Sequence, residues 1–247
     1  MNVSELGPRI IYSFANGKVV IDECTLGAMI VAGILMIVFI WLGSGLKTIP
    51  KGKQIWAELI VEKVYSFTRN NMGTSWFAPY AGTLFSFVLV GSSLGLIGIR
   101  PITASTNVAF ALSLLTFLVI QIYGFKSWGF KGKLKEMCEP YPFMFPLKLI
   151  EECTLPVSLG FRLFGNIFGG MIIVELFLNL MTQLSNYICD VPFLRFLTVL
   201  PLNGFFDMFE PVIQTYIFTS LTLIFLAKAM PLGWHISNED RKALEKN

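Results

Sequence analysis

Apolar runs along the chain come in two sizes, and the difference predicts an architecture. Three of them, Leu26 to Leu42, Phe77 to Ile99 and Val108 to Tyr123, have the length of single spans, since about 17 to 25 apolar residues in a helix cross the ~30 Å hydrocarbon core of a bilayer. Two more, Leu147 to Leu184 and Phe193 to Met230, are close to 38 residues each. As one helix each would extend ~57 Å, almost twice that core, so both are expected to be strongly tilted or broken. Pro156, Pro201, Pro211 and Gly204 supply places to bend. Between the first two spans, Trp56 to Arg69 sets Ile60, Val61, Val64 and Phe67 among polar residues, the pattern of an amphipathic helix lying on a membrane surface. The expected fold is an all-α integral membrane protein with about five membrane segments plus that surface helix. It reads as one membrane domain: an external segment over 1–25, three upright spans within 26–125 with the surface helix near 56–69, a long helical hairpin over 147–231, and a cytoplasmic tail over 232–247.

Composition agrees with this and charge orients it. With 54% hydrophobic and 14% charged residues in 247, a soluble globule is excluded. A net charge of +3 is too small to argue for nucleic acid. Fourteen of the nineteen basic residues fall in three groups, Lys47 to Arg69, Lys126 to Lys148 and Lys228 to Lys246. If the loop after the first span is cytoplasmic, all three groups share that side, as the positive-inside rule requires. The N-terminus is then outside and the C-terminus cytoplasmic, in what is read as a bacterial plasma membrane. Glu5, Asp22 and Glu23 precede the first span without the basic start of a signal peptide, so the N-terminal segment is expected to be retained. Ile102 to Thr106 reads as a short turn, and Lys126 to Lys135 as a basic loop leading to Pro140, Pro142 and Pro146. Cys24, Cys138, Cys153 and Cys189 lack metal-ligand spacing and read as packing residues, and His235 as a surface histidine. The sequence contains no metal cluster, nucleotide-binding loop or nucleophile-base pair, so no cofactor and no direct nucleotide binding are expected.

Against this apolar background a few polar residues stand out. From Cys153 to Val174, Arg162 is the only charged side chain. A guanidinium cannot escape a low-dielectric site by losing its proton, and at bilayer depth it costs at least ~2.5 to 3.5 kcal/mol. Snorkelling from a helix end would lower that cost. Yet Glu152 lies ten residues before Arg162 and Glu175 thirteen after it, which puts the arginine near the middle. At ~100° per residue, Ser158, Gly165, Asn166 and Gly169 fall within about 60° of it on one helical face. Gly165 and Gly169 form a small-xxx-small pair that permits close approach of another helix, from the same chain or another. Asn166, one turn away, is placed to help hold the guanidinium.

The second long block carries Asp207, Glu210 and Gln214 at i, i+3 and i+7, one helical face with two carboxyl groups and an amide. Carboxylates held together in hydrocarbon suit groups that relay protons, although a loop at Pro201 to Gly204 would leave them simply wet. Glu151 and Glu152 are read as starting the arginine helix, where they either complement its N-terminus or serve an exit path.

PVSLGFRLFGN, Pro156 to Asn166, resembles the signature of subunit a of the F-type ATP synthase. QTYIFTSLTLIFLA, Gln214 to Ala227, resembles the final helix of the same subunit. The resemblance implies an ion-translocating stator subunit whose hairpin wraps a rotating c-ring, partnered also by peripheral-stalk b subunits and the lipid bilayer. It implies two half-channels to and from the ring carboxylate, with Arg162 separating them and Gly165 and Gly169 facing the rotor. It places Gln214 beside Arg162, and Asp207 on the proton inlet. One departure is Met171, where many members carry a glutamate or histidine; Glu175, one turn on, is expected to substitute. The proton path is thus expected to use Glu175, Asp207, Glu210, Gln214, Asn166, Ser158, Glu151 and Glu152, with H⁺ as the default coupling ion and Na⁺ as the alternative. A self-contained secondary transporter or channel would instead show an internal repeat and paired broken helices. The polar residues crowd into the last two helices, and no repeat is found.

Overall fold

The computed structural model describes residues 10–14, 19–44, 47, 52–138, 141–188 and 193–231. The expectations for the outermost N-terminus, Cys189, His235 and the C-terminal tail lie outside the described residues. The chain is an all-α integral membrane protein with seven α-helices among the described residues: α1 (Glu23–Gly43), α2 (Lys53–Met72), α3 (Ala78–Ser92), α4 (Thr106–Cys138), α5 (Phe145–Ile188), α6 (Phe193–Asn203) and α7 (Glu210–Lys228). Five helical stretches are long and apolar enough to cross a membrane, with α6, a π-helical segment Gly204–Phe209 and α7 counting as one. α5, at 44 residues, extends ~66 Å at 1.5 Å per residue, too long to stand upright in a ~30 Å core. Pro156 lies inside it without ending it, and its carbonyl accepts a hydrogen bond from Ser113 of α4.

Three features differ from the sequence reading. A small antiparallel ribbon, β1 (Ile10–Phe14) with β2 (Val19–Asp22), precedes α1. The basic stretch Lys126 to Lys135 is helix rather than loop. Good helix formers carry α4 on to Cys138, and the expected irregularity shrinks to one residue, Gly129, at φ 70°. The arginine helix starts at Phe145, so Glu151 and Glu152 lie beyond its first turn and do not complement its N-terminus.

Contacts divide the chain into two compact units. The first comprises 1–33, 87–111 and 160–216. Its centre is Ile102, fully buried in a short 3₁₀ turn (Ile102–Ala104) that packs on α1 at Gly27 and on α3 at Gly91; a Cβ added at Gly91 would overlap the isoleucine, standing 2.1 Å from its Cδ1. Asp22 caps α1, accepting from the Thr25 backbone N–H at 2.9 Å and from the Ser105 hydroxyl at 2.6 Å. Cys24 packs beside it, its thiol against the Pro101 carbonyl.

The second unit comprises 34–86, 112–159 and 217–247. Its apolar core gathers Met72, Phe77, Ala81, Ile120, Leu223, Leu226 and Met230. Tyr123 meets Phe77 and Trp76 edge-on, with ring centroids 4.7 and 5.8 Å apart. The expected helix at 56–69 is present as α2, closed by Gly73 in the left-handed conformation, with its N–H on the Arg69 carbonyl.

Candidate ion-path groups in the two units

In the first unit, the polar residues of α5 and of the helix after it come together. The π-helical turn sets Asp207. Pro211 has no N–H to offer the Asp207 carbonyl four residues back, which favours widening of the turn there. Glu210 N–H accordingly donates to the Phe205 carbonyl, five residues back. Asp207 and Glu210 are partly buried and line, together with Glu175 of α5, one cavity of about 470 Å³. Its remaining polar side chains are Ser92, Arg100, Asn179, Arg195 and Asn203, and Met171, Val174 and Phe206 are among its apolar ones. Glu175 thus reaches the cavity that the apolar Met171 also lines.

Two glycines make that cavity possible. A Cβ on Gly95 would stand 2.8 Å from an Asp207 carboxylate oxygen, and one on Gly170 would stand 2.8 Å from the Phe206 ring and 3.1 Å from a Glu210 carboxylate oxygen. Gly95, Gly170, Arg100, Arg195 and Asn179 were not singled out in the sequence. Their only signal there is a charged, polar or small residue in or beside an apolar run, and it acquires meaning from the contacts.

Gln214 does not join Asp207 and Glu210 in the cavity. It is buried, and its side-chain carbonyl accepts from the Asn166 amide at 2.5 Å. Its own amide nitrogen has no partner among the described residues. Asn166 therefore holds Gln214 rather than the guanidinium. Arg162, one turn before Asn166, is half-buried, and among the described residues no hydrogen bond or ion pair engages it. Beside it Gly165 and Gly169 face open space. Asn166 is exposed too, so this face of α5 is left uncovered within the unit.

In the second unit, Ser158 is exposed on α5. Glu152 receives the ammonium of Lys133 at 2.9 Å and the amide of Gln121 at 3.0 Å. Lys133 also pairs with Glu136 at 3.1 Å, and Lys228 pairs with Glu151 at 2.5 Å. These groups line a second cavity of about 150 Å³. Cys153 is exposed rather than packed. No group of three or more His, Cys, Asp or Glu able to hold a metal ion occurs among the described residues.

Residues 26–227 match the sequence profile of the ATP synthase A chain family. ATP synthase subunit a of Moorella thermoacetica is 31% identical over 231 residues, covering 92% of this chain and 94% of that protein. Subunit a of Streptococcus gordonii is 33% identical, covering 86% and 93%. A subunit a from Propionigenium modestum described as sodium ion specific is 32% identical, covering 78% and 68%.

Proposed function

The chain belongs to the ATP synthase A chain family, and from that premise we propose that it is the stator subunit through which ions reach and leave a ring of rotor carboxylates. The observation that carries this reading is the single cavity lined by Glu175, Asp207 and Glu210 in the unit that also holds Arg162. Three carboxyl groups at a water-accessible cavity among apolar helices form an inlet: each can take a proton from water and pass it on.

Arg162 does the separating. Its permanent charge attracts the rotor carboxylate once that group has lost its proton, favours the loss, and repels a proton that would pass directly from inlet to outlet. Gly165 and Gly169 keep the neighbouring face of α5 low enough for a rotor helix to approach. Asn166, by bonding Gln214, fixes that amide beside the arginine face. The partners of this arrangement are the c-ring and, elsewhere on the chain, the peripheral-stalk b subunits. The distribution of basic segments supports an orientation with the N-terminus outside and the C-terminus cytoplasmic, read here for a bacterial plasma membrane. The inlet then opens outward, and Glu151 and Glu152 belong to the cytoplasmic outlet.

Protons are the coupling ion in this reading. Three carboxyls lining one cavity suit a hopping proton, while the sodium specificity of the Propionigenium modestum relative leaves Na⁺ as the alternative for this chain. Replacing Glu175 with Gln in the complete complex tests the inlet. Glu175→Gln is expected to lower ATP-driven acidification of inverted vesicles by about tenfold or more, the scale on which a positioned proton carrier contributes. Pumping at the native rate would contradict a role for Glu175, and equal indifference to Asp207→Asn and Glu210→Gln would contradict the inlet itself.

A further inference from the structure

Beyond its membrane-crossing part, α4 carries an arm whose two faces meet different surroundings. At 33 residues the helix would extend ~50 Å as a straight rod, well beyond a ~30 Å hydrocarbon core. Up to Gly129 it covers ~34 Å, about one core thickness. Gly129, at φ 70°, redirects the chain there, and residues 130–138 continue as the arm.

The inner face of the arm is pinned to α5. Lys133, 4% exposed, holds Glu152 of α5 at 2.9 Å and Glu136 at 3.1 Å, Lys148 of α5 donates to the Glu136 carbonyl at 2.5 Å, and Met137 is buried. The outer face is left uncovered within the unit. Phe130 is 71% exposed and Leu134 46%. At ~100° per residue these two form one row, and Lys131 and Lys135, both exposed, form a second row beside it. The apolar row continues toward the span through Phe125, which stacks on Phe130 with ring centroids 6.1 Å apart. Lys126 and Trp128, also exposed, flank the break.

We propose that the outer face of this arm is a docking surface for anionic phospholipids, with Phe130 and Leu134 entering the acyl boundary while Lys126 and Lys131 meet the headgroup phosphates. Adjacent apolar and lysine rows are what a helix lying in the membrane interface presents, since lysine stems follow apolar surface and carry their charge to the headgroups. Charge selects the lipid. Between Lys126 and Cys138 the one acidic residue is Glu136, and it is turned inward to Lys133 and Lys148. The outward charge is therefore purely positive. A protein partner fits this face less well, because the cores of protein interfaces are depleted in lysine. Water alone fits it less well still, with a phenylalanine so far exposed beside a tryptophan. In the orientation proposed above, the arm meets the cytoplasmic leaflet, where each lysine near an anionic surface is worth about a fivefold preference. The surface lies wholly in the second unit and does not depend on the ion path.

The test uses the complete complex in phosphatidylcholine vesicles containing a minor fraction of phosphatidylglycerol. A photoactivatable group is placed near the headgroup of one lipid or the other, and adducts on the peptide spanning 126–138 are counted by mass spectrometry. The phosphatidylglycerol probe is expected to label this peptide several-fold more than the phosphatidylcholine probe at equal concentration. The double variant Lys126→Gln/Lys131→Gln is expected to lower that ratio by roughly tenfold, and Lys126→Arg/Lys131→Arg to keep it. In the native complex, salt raised to ~1 M should bring the ratio toward one while phosphatidylcholine labelling persists, a readout that needs no variant. Equal labelling by both probes at low salt, or a ratio unchanged in Lys126→Gln/Lys131→Gln, would overturn the proposal. Protection of the peptide from both probes would overturn it as well, and is the result expected if protein covers the arm.

Discussion

Asp207 owes its place to a residue without a side chain. Gly95, in the 3₁₀ turn Ser93–Ile97 after α3, lets the carboxylate lie where a Cβ would come within 2.8 Å of its oxygen. The obstructing atom is the tip of a side chain, so Gly95→Ala is expected to move the carboxylate at little cost to the fold. The complex should assemble in native amount while ATP-driven acidification falls by roughly tenfold, because small misplacements of a reacting group are costly in rate. Native acidification would mean that the position of Asp207 is not critical. At this scale the sequence is informative where chemistry contradicts its surroundings. Arg162 is legible as the one charge in a long apolar run, and Asp207 and Glu210 as carboxyls in another. Gly95, Arg100, Arg195 and Lys133 are not, because a glycine or a cation near a helix end is ordinary until its neighbours in space are known. Asn166 donates to Gln214 rather than meeting the guanidinium, since helical spacing gives a direction and not the side chain that waits there.

At the scale of elements, length is the clearest signal in the sequence and edges are the faintest. The five apolar stretches correspond to five helical stretches long and apolar enough to cross a membrane, the last two of them far longer than an upright span needs. The edges moved for local reasons. Lys126 to Lys135 looked like a loop because it is basic and contains glycines, but only Gly129 leaves the helical region. The π-helical turn had a visible cause in Pro211, although a proline alone does not say whether a helix kinks, stops or widens. The start of α1 offers a test of an element boundary. Burial pushes the Asp22 carboxyl up, but hydrogen bonds from Ser105 and Thr25 outweigh it and hold the group below its usual value of 3.8. A carboxyl held low contributes stability that is complete above its unfolded pKa and is lost as pH falls through the lowered value. Asp22→Ala is therefore expected to destabilise the chain by about 1 kcal/mol near neutral pH, as loss of a helix cap does. The difference from the native chain should vanish in acid. It is read from unfolding of the chain in the purified complex, and a difference independent of pH would contradict the capping role.

For the molecule as a whole, each unit holds a polar cavity among its described apolar helices. The cavity of the first unit is lined by Glu175, Asp207 and Glu210, and that of the second by the buried Lys133 with its paired glutamates. The potential across the membrane is worth ~2.3 kcal/mol per charge per 100 mV, and a direct leak would dissipate it without turning the rotor. The central claim is that the charge on Arg162 prevents the leak and couples ion flow to rotation. The most direct measurement compares native and Arg162→Ala complexes for ATP-driven acidification of inverted vesicles, with assembly checked in the same membranes. The account predicts an assembled complex that no longer acidifies the lumen, and the same loss in Arg162→Lys if the planar guanidinium is required. Acidification at the native rate in Arg162→Ala would contradict it.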